Sequence, residues 1–114
     1  MKTLYVTDLD GTLLNTQSFI NPYSIEIINS LVEQGILFTY ATARSLVSAS
    51  VVTKGLSTKI PVIAYNGAFI FHPATGAIIA SEGFQKEETD KIIEVLKEHD
   101  ISPLVYSFVQ GKEK

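Results

Sequence analysis

Two aspartates two positions apart, Asp8 and Asp10, are the residues of this sequence whose type and spacing most readily do chemistry. They follow a short apolar run, Leu4, Tyr5 and Val6, whose β-branched and aromatic members suit a buried strand. In extended backbone, residues i and i+2 face the same side, so both acids point into one small volume, roughly 7 Å apart or less. Gly11 follows at once and lets the chain turn away with no Cβ in its path. Two carboxylates held this close repel each other, and a bound divalent cation relieves the repulsion. A Ca²⁺ loop also begins Asp-x-Asp, but it requires Gly at its sixth position and Glu at its twelfth. Counted from Asp8 those places hold Leu13 and Phe19, which excludes it. Acid pairs also bind metal in sugar-transferring enzymes or sit in solvated turns, so the pair alone leaves catalysis, metal binding and a surface turn open.

The elements that must position these acids follow in order. Asn21-Pro22 reads as a helix start, with Asn21 capping and Pro22 at the first helical position. Ile25, Ile28, Leu31 and Val32 recur at helical spacing, and Gly35 supplies the stop. Ile36 to Ala41 is a second buried strand, so the chain opens as a βαβ unit with parallel strands. Parallel neighbours bring their C-terminal ends to one edge, where open α/β sheets bind ligands. Thr42, at the end of the second strand, therefore lies near Asp8 and Asp10, and the helix after Ser45 opens beside it. A hydroxyl backed by the N–H groups of a helix start is a natural site for phosphate oxygens. It is equally a common way to cap that helix. Arg44 reads as a substrate contact or as a solvated helix residue. Pro61 to Tyr65 is the third strand, ending in Asn66-Gly67-Ala68, a pair that favours a tight turn.

The string Asp-Leu-Asp-Gly-Thr-Leu at 8–13 resembles the first motif of the haloacid dehalogenase superfamily of phosphohydrolases. Thr42 resembles the second motif, and Asn66-Gly67-Ala68 the triplet after the third strand in class IIB (Cof-type) members. The resemblance implies an α/β, Rossmann-like three-layer core with a parallel sheet, plus a β-hairpin at 68–80 and the start of an αβ cap. It implies that Asp8 is the nucleophile that becomes an aspartyl phosphate, and that Asp10 is the general acid and base. It further implies Mg²⁺ held by Asp8 and by the backbone carbonyl of Asp10, with phosphate or substrate contacts on Leu9, Thr42, Ala43, Arg44 and Asn66. The subgroup commonly reads Ala-Thr-Gly-Arg where this chain has Ala41-Thr42-Ala43-Arg44, a departure at Ala43.

The rest of the chain is organised around that core. Ala68 to Phe71 and Ala77 to Ala80 flank His72-Pro73-Ala74-Thr75-Gly76, a readable hairpin. Gln85 to His99 carries Glu87 and Glu88 early and Ile92, Ile93 and Leu96 on one stripe, an amphipathic helix. A further strand falls within Ile101 to Val109. The expected division is thus 1–82 for the core portion and 83–114 for the beginning of a cap. His72, in a loop, reads as a surface residue, and His99, near a helix end, as a complement to the helix dipole. Lys54 and Lys59 precede the third strand and read as solvated.

Composition narrows the classes further. The chain has 114 residues, 46% hydrophobic and 18% charged, which is enough for one small core. A net charge of −3 argues against a nucleic-acid surface built from basic residues. There is no cysteine, hence no disulfide framework or thiolate metal site. No apolar run approaches the roughly 18 residues of a membrane span, and the N-terminal run is too short for a secretion signal. A cytoplasmic protein acting on a small phosphorylated metabolite is the expectation, with neither nucleic acid nor membrane as partner.

The family pattern has two further motifs, one supplying a lysine and the other acids that complete the Mg²⁺ shell. Lys112 and Lys114 lie in a polar tail, and Asp90 and Asp100 lie in and after the late helix, so neither motif can be placed. The sequence therefore reads as the N-terminal piece of such a protein, with an incomplete core. The Leu4–Thr7 strand then becomes an unprotected edge through which the chain can self-associate. A catalytically silent fragment that binds metal or a partner chain is the alternative to a phosphatase.

Overall fold

Local sequence explains most of the elements seen in the computed structural model, which describes residues 2–109 and 112–113. The chain forms two compact units, Met1–Glu82 and Gly83–Lys114. In the first, strand β1 (Leu4–Thr7) leads through a wide turn to helix α1 (Pro22–Glu33) and strand β2 (Leu37–Tyr40). The Asn21 side chain accepts from Tyr23 N and caps α1, with Pro22 in its first turn. At the other end Gly35, at φ +97°, donates to Val32 O and Ile36 donates to Leu31 O. That pair of bonds closes the helix through a left-handed residue that only glycine adopts without steric cost. β1 and β2 pair in parallel, with Leu4 opposite Leu37 and Thr7 opposite Tyr40.

Helix α2 (Leu46–Val52) follows, capped by Ser45 Oγ, which accepts from Ser48 N. Strand β3 (Val62–Ala64) joins β2 through a parallel bridge between Ala41 and Ile63. The Thr39 hydroxyl donates to Pro61 O at 2.7 Å and reinforces that junction. The direction of the sheet then reverses. Strands β4 (Phe69–Phe71) and β5 (Ile78–Ser81) add antiparallel to β3 in the order β3-β4-β5. The hairpin expected at 68–80 is present; its antiparallel attachment to the third strand is a finding of the structure.

The core is small. Leu9, Ala49, Ala64 and Phe71 are fully buried, and Leu14, Ile20, Val32, Tyr40 and Val62 nearly so. By contrast Leu4, Tyr5 and Val6 of β1 are about half exposed, at 53%, 54% and 49%. The sequence expects a buried strand there. Among the described residues β1 has a neighbour on one side only, which leaves it an edge.

In the second unit, helix α3 (Lys86–Glu98) carries Glu87 and Glu88 in its first turn and Lys97 in its last, each favourable to the helix dipole. Its Ile92, Ile93 and Leu96 line an apolar hollow with Phe84, Leu104 and Tyr106. The strand expected within 101–109 is reduced to β6 (Phe108–Val109), paired with β7 (Lys112–Glu113). Pro103, which has no N–H to give a ladder, interrupts the segment before it. Lys114 lies outside the described residues.

Phe71 is the largest fully buried side chain. Phe71→Ala is expected to cost about 3–5 kcal/mol, a large share of the roughly 5–15 kcal/mol of a small domain. A urea titration of both chains checks this, and a loss under about 1 kcal/mol contradicts the burial that the fold assigns to Phe71.

Candidate active site

The chain leaves β1 at Asp8 with its backbone still extended, φ −78° and ψ 160°. Asp8 Oδ1 accepts from Leu9 N at 2.8 Å, so one carboxylate oxygen is tied to the turn that follows. That turn is wide: Leu13 N reaches Asp8 O at 3.3 Å and Leu14 N reaches Leu9 O at 2.9 Å. Bonds of this i→i+5 type are rare and occur often at functional sites. Gly11, at φ +78°, supplies the left-handed step that the turn requires. The Leu9 side chain is fully buried and pins the turn to the core. A ligand can meet Leu9 only through its N–H, which here is donated to Asp8.

Asp8, Thr42, Ala43 and Asn66 line one open cleft of about 410 Å³, together with Ala41, Ile63 and Gly67. Two strand ends and a turn build it. Thr42 N donates to Ile63 O, Asn66 N donates to Thr42 O, and Tyr65 N donates to Arg44 O, each at 3.0 Å. The Thr42 hydroxyl accepts from Arg44 N at 3.1 Å, while Ser45 rather than Thr42 caps α2. That acceptor role leaves the Thr42 O–H proton for an oxygen in the cleft. Tyr65, Asn66 and Gly67 all have positive φ, at 53°, 56° and 92°. Asn adopts this region with less strain than most residues, which is one physical reason for Asn-Gly at this point.

Asp10 and Arg44 do not line the cleft; they pair with each other. Arg44 Nε donates to Asp10 Oδ2 at 2.7 Å and Nη2 to Oδ1 at 2.8 Å, a two-pronged contact across the β1 and β2 ends. Arg44 Nη1 donates in addition to Ser48 Oγ at 2.8 Å. The Arg44 hydrogen bonds hold the Asp10 carboxyl below its ordinary value, and the same bonds raise the Arg44 guanidinium. Sequence leaves Arg44 as a solvated residue or a substrate contact; without substrate its guanidinium is engaged by an acid. Ser48 was not singled out from sequence, although its spacing of four from Arg44 at a helix start is a readable signal.

The donor chemistry fits a small hard cation. Asp8 supplies a carboxylate, and the cleft around it offers hydroxyl, amide and backbone carbonyl oxygens, the hard donors that Mg²⁺ prefers. Among the described residues no group of three or more acids or histidines forms a fuller cage. Neither Lys54 nor Lys59 lines the cleft, and Lys59 pairs with Glu33 at 3.1 Å.

A strand-end acid, a strand-end hydroxyl and a wide turn on a parallel pair define a phosphohydrolase-like α/β site, and comparison with known proteins gives the family. The chain belongs to the haloacid dehalogenase-like hydrolases, whose family model matches residues 5–112. It is 38% identical over 86 residues to the 5-amino-6-(5-phospho-D-ribitylamino)uracil phosphatase YwtE of Bacillus subtilis. It is 29% identical over 99 residues to the pyridoxal phosphate phosphatase YbhA of Escherichia coli. These matches cover 75% and 87% of this chain but only 29% and 36% of the relatives. Among solved structures, TM0651 of Thermotoga maritima superposes with a TM-score of 0.71 at 32% identity, over 99% of this chain and 41% of that one. BT1666 of Bacteroides thetaiotaomicron, a phosphatase of the same superfamily, gives 0.75 at 27% identity, over 88% and 37%. The fold class is thus the one the motifs imply, and the chain spans well under half the length of these relatives.

The Asp10–Arg44 pair generates a titration. A carboxyl whose folded pKa is depressed stabilises the fold above its unfolded value and loses that contribution as pH falls through the folded value. In metal-free protein the Asp10 Cγ signal is expected to titrate below the ordinary 3.8. In Arg44→Gln it should move up toward the ordinary value, with little change in melting temperature because the pair is at the surface. An unmoved midpoint on NMR would show that Arg44 does not engage Asp10 in solution.

Proposed function

We propose that the protein, as the core portion of a haloacid dehalogenase-type enzyme, hydrolyses phosphomonoesters of small metabolites. The observation that carries this reading is the shared cleft of Asp8, Thr42, Ala43 and Asn66 at the C-terminal end of parallel strands. In the proposed reaction an Asp8 oxygen attacks phosphorus and forms an acyl phosphate as the ester P–O bond breaks. Asp10 gives its proton to the departing alkoxide. It then takes a proton from a water that attacks the acyl phosphate, releasing inorganic phosphate and restoring Asp8. The Thr42 hydroxyl and the Asn66 side chain hold phosphoryl oxygens during both steps. Mg²⁺ bound to Asp8 and the Asp10 carbonyl would offset the charge of those oxygens.

Arg44 shapes when Asp10 can act. As long as the two are paired, the Asp10 carboxylate is turned to the guanidinium and carries no proton to give. A phosphate dianion entering the cleft competes for the same guanidinium, and its capture frees Asp10 to take up a proton from solvent, the proton it then gives to the leaving group. Residues 83–114 are read as the beginning of a cap that helps select the substrate. The named relatives act on pyridoxal phosphate and on a phosphoribitylaminouracil, which supports a small phosphorylated metabolite as substrate. Among the described residues no helix is long and apolar enough to cross a membrane.

The pairing of Asp10 with Arg44 also favours a second reading, a silent module that binds metal without turnover. The two readings part at Asp8. Among the described residues neither a lysine nor a second acid lines the cleft; two electrostatic contributions worth about 10²-fold or more each would then be lacking, so turnover should be slow. Weak Mg²⁺ binding and slow Mg²⁺-dependent hydrolysis of p-nitrophenyl phosphate are the expected outcomes for the 114-residue chain, with the hydrolysis abolished by Asp8→Asn. Mg²⁺ binding with no Asp8-dependent hydrolysis supports the silent module instead.

A further inference from the structure

The two partners of the Arg44–Asp10 pair are held very differently. Arg44 N donates to Thr42 Oγ1 at 3.1 Å, and Arg44 O accepts from Tyr65 N at 3.0 Å. The Arg44 side chain is 25% exposed, against 55% for Asp10. A third tie comes from helix α2, where Ser48 Oγ accepts from Arg44 Nη1 at 2.8 Å. Hydroxyls in helices commonly turn back on their own backbone. Ser50 Oγ does so onto Val47 O, and Thr53 Oγ1 onto Ala49 O. Ser48 Oγ is instead bonded to a side chain outside the helix. Nor is it needed to cap α2, because Ser45 Oγ already accepts from Ser48 N.

The contacts of the guanidinium use different donors. Asp10 takes one N–H on Nε and one on Nη2, while Ser48 takes one on Nη1. The bond to Ser48 therefore lies off the edge that Asp10 occupies and can stay when that edge changes partner. We propose that Ser48 is a positioning residue: its hydroxyl holds the Arg44 fork in place while an incoming phosphate dianion displaces the Asp10 carboxylate. This role rests on the reading of the cleft as a phosphohydrolase site. In it Arg44 is the fixed member of the pair, and the more exposed Asp10 is the one that moves. Without Ser48 the guanidinium must be ordered afresh around each anion. A long side chain is among the costliest to order, and that cost is subtracted from binding.

Arg44 is the only arginine of the sequence, so its Nε–H gives one unambiguous NMR signal. The probe is inorganic phosphate, with Mg²⁺ in the buffer, and the Thr42 and Asn66 amide signals report its affinity in every variant. Phosphate should shift the Arg44 Nε signal of the wild-type chain. Ser48→Ala should weaken phosphate about 3–10-fold, the worth of one hydrogen bond. Ser48→Thr, which keeps the hydroxyl, should restore the affinity. On an Arg44→Gln background Ser48→Ala should cause no further loss, because Ser48 acts only through Arg44. An equal loss with and without Arg44, as a merely structural role in α2 would give, overturns the proposal. So does an Arg44 Nε signal that phosphate leaves unmoved, or a Ser48→Thr chain that binds no better than Ser48→Ala. Hydrolysis of p-nitrophenyl phosphate on the same samples separates this role from the reading of the cleft. Coupling of Ser48 to Arg44 without Asp8-dependent hydrolysis supports the positioning role and fails the enzyme; hydrolysis without the coupling does the reverse.

Discussion

The site depends on two backbone hydrogen bonds, Tyr65 N to Arg44 O and Asn66 N to Thr42 O, that lock the turn after β3 to the loop after β2. They add to the Ala41–Ile63 bridge, the Thr42 N to Ile63 O bond and the Thr39–Pro61 bond in fixing Thr42 and Asn66 relative to Asp8. The turn is costly. Three consecutive residues have positive φ, and a tyrosine there is strained by about 1–2 kcal/mol. An aromatic cluster offsets that strain: the Tyr65 ring meets Phe69 edge-on at 5.3 Å and lies 6.2 Å from Phe71. Each such contact contributes about 0.5–1.5 kcal/mol beyond burial. The antiparallel strand β4 thus holds a turn whose polar residue, Asn66, faces the cleft.

This arrangement explains which parts of the fold were legible in the sequence. The βαβ opening was readable because each boundary carries its own chemistry: Asn21 and Pro22 start α1, and Gly35 ends it with the bonds that its left-handed φ permits. Asp8 at a strand end followed by Gly11 was readable for the same reason. The antiparallel joining of β3 to β4 was not, because it is set by long-range packing of Phe69 and Phe71 against Tyr65 and has no local signal. The exposure of β1 was equally hidden from pattern alone. Leu4, Tyr5 and Val6 have the composition of a buried strand, and only the sheet order shows that one side has no neighbour among the described residues. In the second unit, propensity argued for more strand than forms, and Pro103 prevailed over the apolar residues around it.

At the cleft, spacing located the acids but not their partners. Residue types at i and i+2 place Asp8 and Asp10 on one side of an extended chain, yet the wide turn begins at Leu9, between them. Asp8 stays with the cleft, tied to Leu9 N, while Asp10 is drawn to Arg44. A guanidinium with five donors and a planar fork matches a carboxylate better than water does, and Ser48 fixes its orientation through a third bond. Sequence treats Arg44 as either solvated or substrate-bound because its partner lies 34 residues away, beyond any local pattern.

The pair also bears on how the proposed acid and nucleophile, so close in sequence, would take different roles. Two carboxylates this close repel; different partners draw them apart. Asp8 is held by a neutral backbone N–H beside an open cleft, which leaves an oxygen available to a cation or to phosphorus. Asp10 is held by a cation, which keeps it ionised for as long as that cation is not needed elsewhere. A phosphate dianion is the anion most able to claim a forked guanidinium, because it presents two oxygens at matching spacing and carries more charge than a carboxylate. The same contact that silences Asp10 in the free protein is therefore one that substrate can undo. Release of Asp10 is thereby coupled to arrival of the group on which it would act.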